Sequence, residues 1–487
     1  MKPTRIFCGA TVVVAAALAA IIATGISAVG TGTTAAVPRT SAQALANAAS
    51  DIVIRPGAIH VGKAHANPPT TAECEQQEGI ACYVPAQVRH AYNLYSLYQQ
   101  GIDGAGQTIV IVDSFGSPTV GRDLTIFDRA FGLPAPPSLR IIQPAGVVPP
   151  YNTSSDRVGW AGETELDVEY SHVVAPDANI LLVETPTSEN EGTSGFPQIE
   201  DAEIYVINNH LGGVISQSFS ATENSFSSAQ ALFNLRRAYT DAAKNGNDVT
   251  VLAASGDSGA ADVGPDGSTY YDFPVTSWPD SDPLVTGVGG TQLHLNGTGV
   301  RISPDSAWND TYSVVTNRYI EGDNGPNPLA GGGGKSIMFE RPSYQSGVAR
   351  VVGLQRGVPD ISMSAACNGA VDMYQSFAGQ PAGWYPTCGT SEATPLFAGI
   401  VALADQVAGH PLGLINPALY AMSAARAPGL VDITRGNNTV SFTQHGKFTT
   451  VRGWRAAPGY DLATGLGTVD AAKFVPELVQ YVERLET

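Results

Sequence analysis

The stretch GTSEATPLFAG, residues 389–399, sets Ser391 among small residues, with a proline four positions on and an apolar run behind it. That is the setting of a serine nucleophile at the start of a buried helix. A serine hydroxyl is a weak nucleophile at its free pKa and needs a base to take its proton. Histidine is the usual base, and the chain has eight histidines, none in a promising place. His60 and His65 lie far toward the N-terminus, and His90 falls in a helical pattern. His210, His294, His410 and His445 sit in turns or at strand edges, with no motif around them. His172 ends ELDVEYSH but leads straight into an apolar patch, so a structural role is the expectation for it as for the others.

Carboxylates are the other source of a base. In GWAGETELDVEYSHVVAP, Glu163 and Asp167 are four residues apart, which places them on one helix face about 5–6 Å from each other. Glu165 and Glu169 add two more acids. A solvated acidic face is the plain alternative. Against it, the helix is otherwise apolar, and no Lys or Arg matches its carboxylates. The chemistry also suits acid. Glu titrates at about 4.3 and His at about 6.5, so in acid a glutamate is still poised to accept a proton when a histidine is already charged. Two carboxyls in contact share a proton, which splits their apparent pKa values.

These side chains must be held by elements the sequence also announces. QTIVIVDSFG (107–116), ANILLVET (178–185), GGVISQSFS (212–220), DVTVLAASGDSG (248–259) and PLVTGVGGTQ (283–292) read as buried strands followed by loops. Helical stretches are predicted near 162–174, 196–209 and 226–245, and another from Ser391 to the stop signal at Gly409. Strands alternating with helices predict an α/β fold, a mostly parallel sheet covered on both faces. Active residues in such sheets gather at the carboxyl ends of strands, where Asp113 and Asp257 both stand. The run GGGGKS at 331–336 invites a phosphate-loop reading, but Leu329 stands where that pattern needs glycine. A glycine loop that lets backbones approach is the expectation instead.

The chain has 487 residues and a net charge of −18, which argues against a nucleic-acid partner. The N-terminus reads as an export signal over 1–28: Lys2 and Arg5, then an uncharged apolar run, then ISA at 26–28. An uncleaved membrane anchor is the alternative. No other stretch is apolar for long enough to span a bilayer, so no further membrane contact is expected. Residues 29–82 read as an extension or short pro-segment, and 83–487 as the main domain. With Cys8 in the signal, Cys74, Cys82, Cys367 and Cys388 remain. Proximity favours Cys74–Cys82 and Cys367–Cys388, although four cysteines allow three pairings.

In order along the chain, GETELDVE, ASGDSGA, GGGGKS, GVPDIS, CGTSEATPLFAG, DITRGNN and PGYDLATGLG resemble the motifs of the sedolisin (serine-carboxyl peptidase) family. The likeness runs from roughly residue 85 to the C-terminus. It implies a subtilisin-like three-layer fold in which Ser391 is the nucleophile and Glu163 the general base and acid. It further implies that Asp167 is hydrogen-bonded to Glu163 as its orienter and that Asp257 lines the oxyanion hole. In such a fold Asp113 would lie beside the active helix and extend the Glu–Asp network. The resemblance also implies one structural Ca2+, held by the side chains of Asp432 and Asp461 and the carbonyls of Ile433, Ala457 and Gly459. Ala457 stands where the family usually has glycine. The family generally carries a large N-terminal prodomain, for which the residues between the signal and the catalytic motifs are too few. The expected function is a secreted, acid-acting endopeptidase that takes peptide or protein substrates as a monomer. The alternatives are a tripeptidyl-type exopeptidase of the same family and a non-catalytic binding relative.

Overall fold

The computed structural model describes residues 58–188, 195–313 and 326–486. The signal expected at 1–28 lies outside the described residues, as does 29–57 of the expected extension. The elements that position the site are, in order, β1 (Ile59–His60), β2 (Cys82–Tyr83), β3 (Thr108–Ser114), α1 (Val120–Phe131), β4 (Leu139–Ile142), α2 (Ser155–Val174), β5 (Asn179–Thr185), α3 (Phe196–Asn208) and β6 (Val214–Gln217). They continue with β7 (Thr250–Ala254), β8 (Thr286–Gln292), β9 (Ser306–Ala307), β10 (Ile361–Ser364), β11 (Ala370–Gln375), β12 (Gly383–Cys388), α4 (Thr390–Ala408) and α5 (Ala471–Glu486).

The run TIVIVDS makes β3 a central strand because it is β-branched and uncharged until Asp113. Its side chains alternate between two cores. Ile109 and Ile111 pack in one with Leu166 and Val168 of α2 and Phe397 and Ile400 of α4. Val110 and Val112 pack in the other with Phe196 and Ile199 of α3. The main sheet runs in the order β9-β8-β7-β6-β3-β5-β4, with β10 also beside β8. Every pairing is parallel except that of β8 with β9. A central, mostly parallel sheet flanked by helices is the α/β, subtilisin-like arrangement expected. Parallel order puts the carboxyl ends of β3, β6 and β7 along one edge, and the site forms there.

Helix α2 is buried from Trp160 to Val174 and packs on α4. The approach is close at Gly399, where an added Cβ would sit 2.5 Å from Cβ of Val174. Helix α4 ends where predicted, at Gly409, whose φ of 77° is the left-handed cap that glycine favours. The helix predicted over 226–245 is two short ones, Ala229–Phe233 and Arg237–Ala242. The chain breaks between them as Arg236 turns to the buried Asp282, its Nη2 donating to Oδ1 at 2.8 Å.

A second sheet runs β1-β12-β11-β2. Its outer strands come from the expected extension, so residues 58–82 are built into the body: Val61 and Cys74 are fully buried. Disulfides join Cys74 to Cys82 and Cys367 to Cys388, with Cα atoms 5.8 Å and 4.9 Å apart. The second bridge fastens the end of β12, three residues before Ser391. Among the described residues no helix is long and apolar enough to cross a membrane.

Candidate active site

The chain leaves β12, turns at Gly389 and enters α4 at Thr390, which puts Ser391 in the first helical turn. N–H groups of a first turn lack intrahelical partners and carry partial positive charge, which favours an oxyanion nearby. Pro395, four residues on, has no N–H to offer the Ser391 carbonyl. The serine is 1% exposed.

Glu163 projects from α2 towards it. Burial, the largest influence, pushes its carboxyl well above the usual range. The nearby Ser391 hydroxyl and the Ala58 N–H pull it back, while the charges of Asp113 and Asp257 push it further up. The Ala58 N–H meets Oε2 at 2.8 Å. Asp167, one turn along α2, is raised by burial and then by the charges of Asp113 and Glu163. Its Oδ1 accepts from the Ser218 hydroxyl at 2.9 Å, just beyond the end of β6. Asp167 is thus oriented by Ser218; among the described residues it makes no hydrogen bond to Glu163, whose like charge only raises it further. Asp113, at the end of β3, interacts with both. Burial raises it to about 7, opposed by the nearby Thr164 hydroxyl, which itself donates to the Trp160 carbonyl at 2.9 Å. The three carboxyls are completely buried. Their ionisations belong to the group as a whole, and a low-dielectric site keeps most of them protonated in acid.

Asp257 lies beyond β7, in the turn Ser255–Gly256–Asp257. Thr390 donates to its Oδ1 twice, from N–H and from hydroxyl, at 2.7 Å each. The residue is only partly buried, yet its Oδ2 is closed off and has no hydrogen-bond partner among the described residues. Burial is the main reason its pKa rises to about 7, with the Thr390 bonds opposing it. Below neutrality Oδ2 therefore carries a proton with nothing yet to receive it. The glycine loop of GGGGKS backs this turn. A Cβ on Gly332 would fall 1.8 Å from the Ser255 carbonyl oxygen, so the run serves backbone approach.

Sequence reasoning passed over several partners. Ser218 stands at a strand end, a signal that was available, and Thr390 lies inside the quoted nucleophile motif. The Ala58 N–H had no signal. Glu165 and Glu169 face away from Ser391: Glu165 accepts from Thr119 Oγ1 at 3.2 Å and Glu169 from the Tyr374 N–H at 3.1 Å. His172 contacts the Pro134 carbonyl at 2.7 Å and lies 3.3 Å from Asp128, a structural setting.

The two aspartate turns near the C-terminus meet. The Gly459 N–H donates to Asp432 Oδ2 at 2.9 Å, and the Ala457 N–H donates to Asp461 Oδ2 at 2.8 Å. Two carboxylates from separate turns, both bonded to the backbone of 457–459, are hard oxygen donors of the kind that Ca2+ takes. Another metal-like cluster, Cys74, Cys82 and Asp372, offers no thiolate because its cysteines are bridged.

A family profile described as the Subtilase family matches residues 159–420, which include Glu163, Asp167, Asp257 and Ser391. Kumamolisin from Bacillus sp. (strain MN-32) is 32% identical over 408 residues, which cover 81% of this chain and 63% of that protein. Sedolisin from Pseudomonas sp. (strain 101) is 29% identical over 374 residues, covering 76% of this chain and 57% of that protein. Tripeptidyl-peptidase 1 from Homo sapiens is 28% identical over 441 residues, covering 85% of this chain and 69% of that protein. The chain therefore spans only 63% and 57% of the lengths of kumamolisin and sedolisin. The solved structure of Pseudomonas sedolisin, a serine-carboxyl proteinase complexed with two molecules of pseudo-iodotyrostatin, matches with a TM-score of 0.64 and 25% identity. That match covers 82% of this chain and 99% of the other. The chain belongs to the subtilase family and, within it, to the sedolisins, the serine-carboxyl peptidases of subtilisin-like fold.

Proposed function

We propose that the protein is a secreted endopeptidase that cleaves peptide and protein substrates in acid, as a monomer, through Ser391, Glu163, Asp167 and Asp257. One observation carries the acid reading: the Asp257 Oδ2, buried and without a partner, beside a serine whose base is a glutamate. Glu163 takes the hydroxyl proton as Ser391 attacks the scissile carbonyl, then returns it to the leaving amine. Asp167, held by Ser218, and Asp113 keep negative charge and protons shared around Glu163. The protonated Asp257 donates to the oxyanion that forms. The working state needs Glu163 ionised and Asp257 protonated. It exists once the buried trio has lost its first proton and before Asp257 loses its own at about 7. Asp432, Asp461 and the carbonyls of Ile433, Ala457 and Gly459 would hold a Ca2+ ion, whose contribution is structural: it offsets the repulsion of two close carboxylates. The apolar N-terminal run and two disulfides support export. The test is hydrolysis of an unstructured protein across pH 2–9, with product masses. Wild type should peak below neutrality and release internal fragments. Ser391→Ala and Glu163→Gln should each fall by about 10²–10⁴-fold without loss of fold. A folded Glu163→Gln enzyme that keeps substantial activity would refute the carboxylate base. Products that are only N-terminal tripeptides would favour the exopeptidase reading.

A further inference from the structure

The residue after Ser391 is an acid that the proposed reaction does not use. Glu392 lies in the first turn of α4 and is completely buried. Neither of its carboxyl oxygens has a hydrogen-bond partner among the described residues. The Ser364 hydroxyl, at the end of β10, is in the same condition, buried and without a partner. Burial, the largest influence, raises the Glu392 pKa well above the usual range. The nearby Ser364 hydroxyl pulls it back, and charge on Asp257 pushes it further up. A protonated carboxyl and a hydroxyl each have a proton to give and an oxygen to receive one, so a small rotation joins Glu392 to Ser364. An ionised Glu392 would instead hold its charge away from water, which costs more than the partial positive charge of a helix N-terminus offsets.

The turn that carries Ser391 is hung from two sides. On one side, Thr390 gives Asp257 Oδ1 its N–H and its hydroxyl, at 2.7 Å each. On the other, the Gly389 N–H donates to the carbonyl of Ala365, one residue beyond β10, at 2.9 Å. Glu392 belongs to this second side, because its neighbour Ser364 precedes Ala365. Its own N–H closes the turn on the Gly389 carbonyl at 2.9 Å. Ser364 is fixed in turn, its N–H donating to the Tyr92 hydroxyl at 2.7 Å. Tyr92 and Tyr170 of α2 both lie in the field of Glu392, and burial pushes both phenols up, so they stay neutral. Arg301 stands over the Tyr92 ring, its Cζ 5.7 Å from the centroid, but is paired with Asp305 at 2.9 Å. The acid among these neighbours is Asp257, which ionises at about 7 and presents a charge of the same sign.

We infer that Glu392 is a positioning residue: its carboxylic acid, bonded to the Ser364 hydroxyl, seats the first turn of α4, and its ionisation unseats that turn and Ser391 with it. Its bearing on catalysis rests on the serine-carboxyl peptidase reading; the seating does not. In a turn opened to water, Glu392 ionises as any glutamate does, above about pH 4.3. In the seated turn it keeps its proton to higher pH. The seating is therefore at full strength in acid and weakens as pH rises. Asp257 acts on the same turn in the opposite sense, since an ionised carboxylate accepts more strongly from Thr390. A loosening of this turn towards neutral pH thus belongs to Glu392.

The experiment is amide hydrogen exchange of the full chain at about pH 5 and about pH 8, corrected for the intrinsic rate, for wild type, Glu392→Gln, Glu392→Ala and Ser364→Ala. In wild type, protection of residues 389–397 should fall, relative to α5, by up to about tenfold per pH unit. Glu392→Gln is neutral at every pH and still pairs with Ser364, so its protection should hold. Ser364→Ala should be less protected there already at about pH 5. Hydrolysis of an unstructured protein is measured in parallel. In acid, Glu392→Ala should lower kcat more than it changes KM, and Glu392→Gln should restore it. In an Asp257→Asn background, adding Glu392→Gln should remove the alkaline fall in kcat that remains. Wild-type protection that does not change with pH relative to α5 overturns the inference and leaves the peptidase reading standing. So does a Glu392→Gln chain that follows wild type, or a Glu392→Ala enzyme with wild-type kcat in acid. If Glu392→Gln does not fold, Ser364→Ala decides, and protection equal to wild type at about pH 5 overturns the inference. The expected exchange pattern in a chain that hydrolyses nothing at any pH overturns the peptidase reading and leaves the seat in place.

Discussion

The chemistry at Ser391 depends on which oxygens hold protons, and Asp257 is the residue where that dependence can be isolated. Burial raises its pKa to about 7, so the hydrogen bond we propose it gives the oxyanion would be available below that pH and lost above it. Asparagine donates at every pH. Asp257→Asn should therefore keep part of the activity while the fall in kcat near pH 7 moves upward or disappears. Asp257→Ala should lose about 10²–10³-fold, the usual worth of one oxyanion donor. A pH–rate profile of each variant checks this; an unchanged alkaline limb in Asp257→Asn would remove Asp257 from that role. Ser391, Glu163, Asp167 and Asp257 stood out in the sequence because their motifs are local. Asp113 was placed from its strand end alone. Ser218 and the Ala58 N–H reach the site from distant segments, and their bonds span 51 residues for Ser218 to Asp167 and 105 for Ala58 to Glu163. Contacts of that separation leave no spacing to read in one sequence.

At the scale of elements, α2 and α4 carry Glu163 and Ser391, the proposed base and nucleophile, and the two helices approach closely at Gly399. A methyl there meets Val174 at 2.5 Å, well inside contact distance. Gly399→Ala should cost about 1–3 kcal/mol through overpacking. It should also lower kcat more than it changes KM, because the shift separates Glu163 from Ser391. Thermal melting together with steady-state kinetics checks both. A variant as stable and active as wild type would mean that the helices have room to adjust. The strands were legible from their uncharged β-branched runs, and α4 from its proline and its glycine stop. The second sheet was not. β1 and β2 are two residues each, too short for any period, and they exist only because β11 and β12 offer them edges. The burial of Glu163, Glu165, Asp167 and Glu169, four of the five acids of α2, was likewise a property of the packed sheet and its two cores.

The whole molecule carries acids whose pKa values rise on folding: Asp262 to about 6, Asp257 to about 7, Glu203 and Asp405 to about 8. Their unfolded values lie near 4. Between those limits the folded chain binds more protons than the unfolded one, so this stability is fully present below about pH 4 and is lost as pH rises towards 8. Asp266 and Glu73 shift the other way but are largely exposed and weigh little. His60, lowered by burial to about 4, offsets part of the trend between about pH 4 and 6.5, so the fall is clearest above that window. Each group contributes about 1.4 kcal/mol per unit of displacement, so the melting temperature should fall clearly from pH 4 to pH 8. A flat or rising curve would contradict the burial described. Calcium adds a separate dependence: chelation at neutral pH should lower the melting temperature, and Asp461→Ala should melt early and ignore added Ca2+. A melting curve unmoved by chelator would exclude the site. The bridge at Cys388 has a consequence of another kind. It locks the approach to Ser391, and such bonds do not persist where glutathione keeps thiols reduced. In a reducing medium the loop that carries Ser391 would lose this fastening, so the hold on that residue depends on oxidising surroundings.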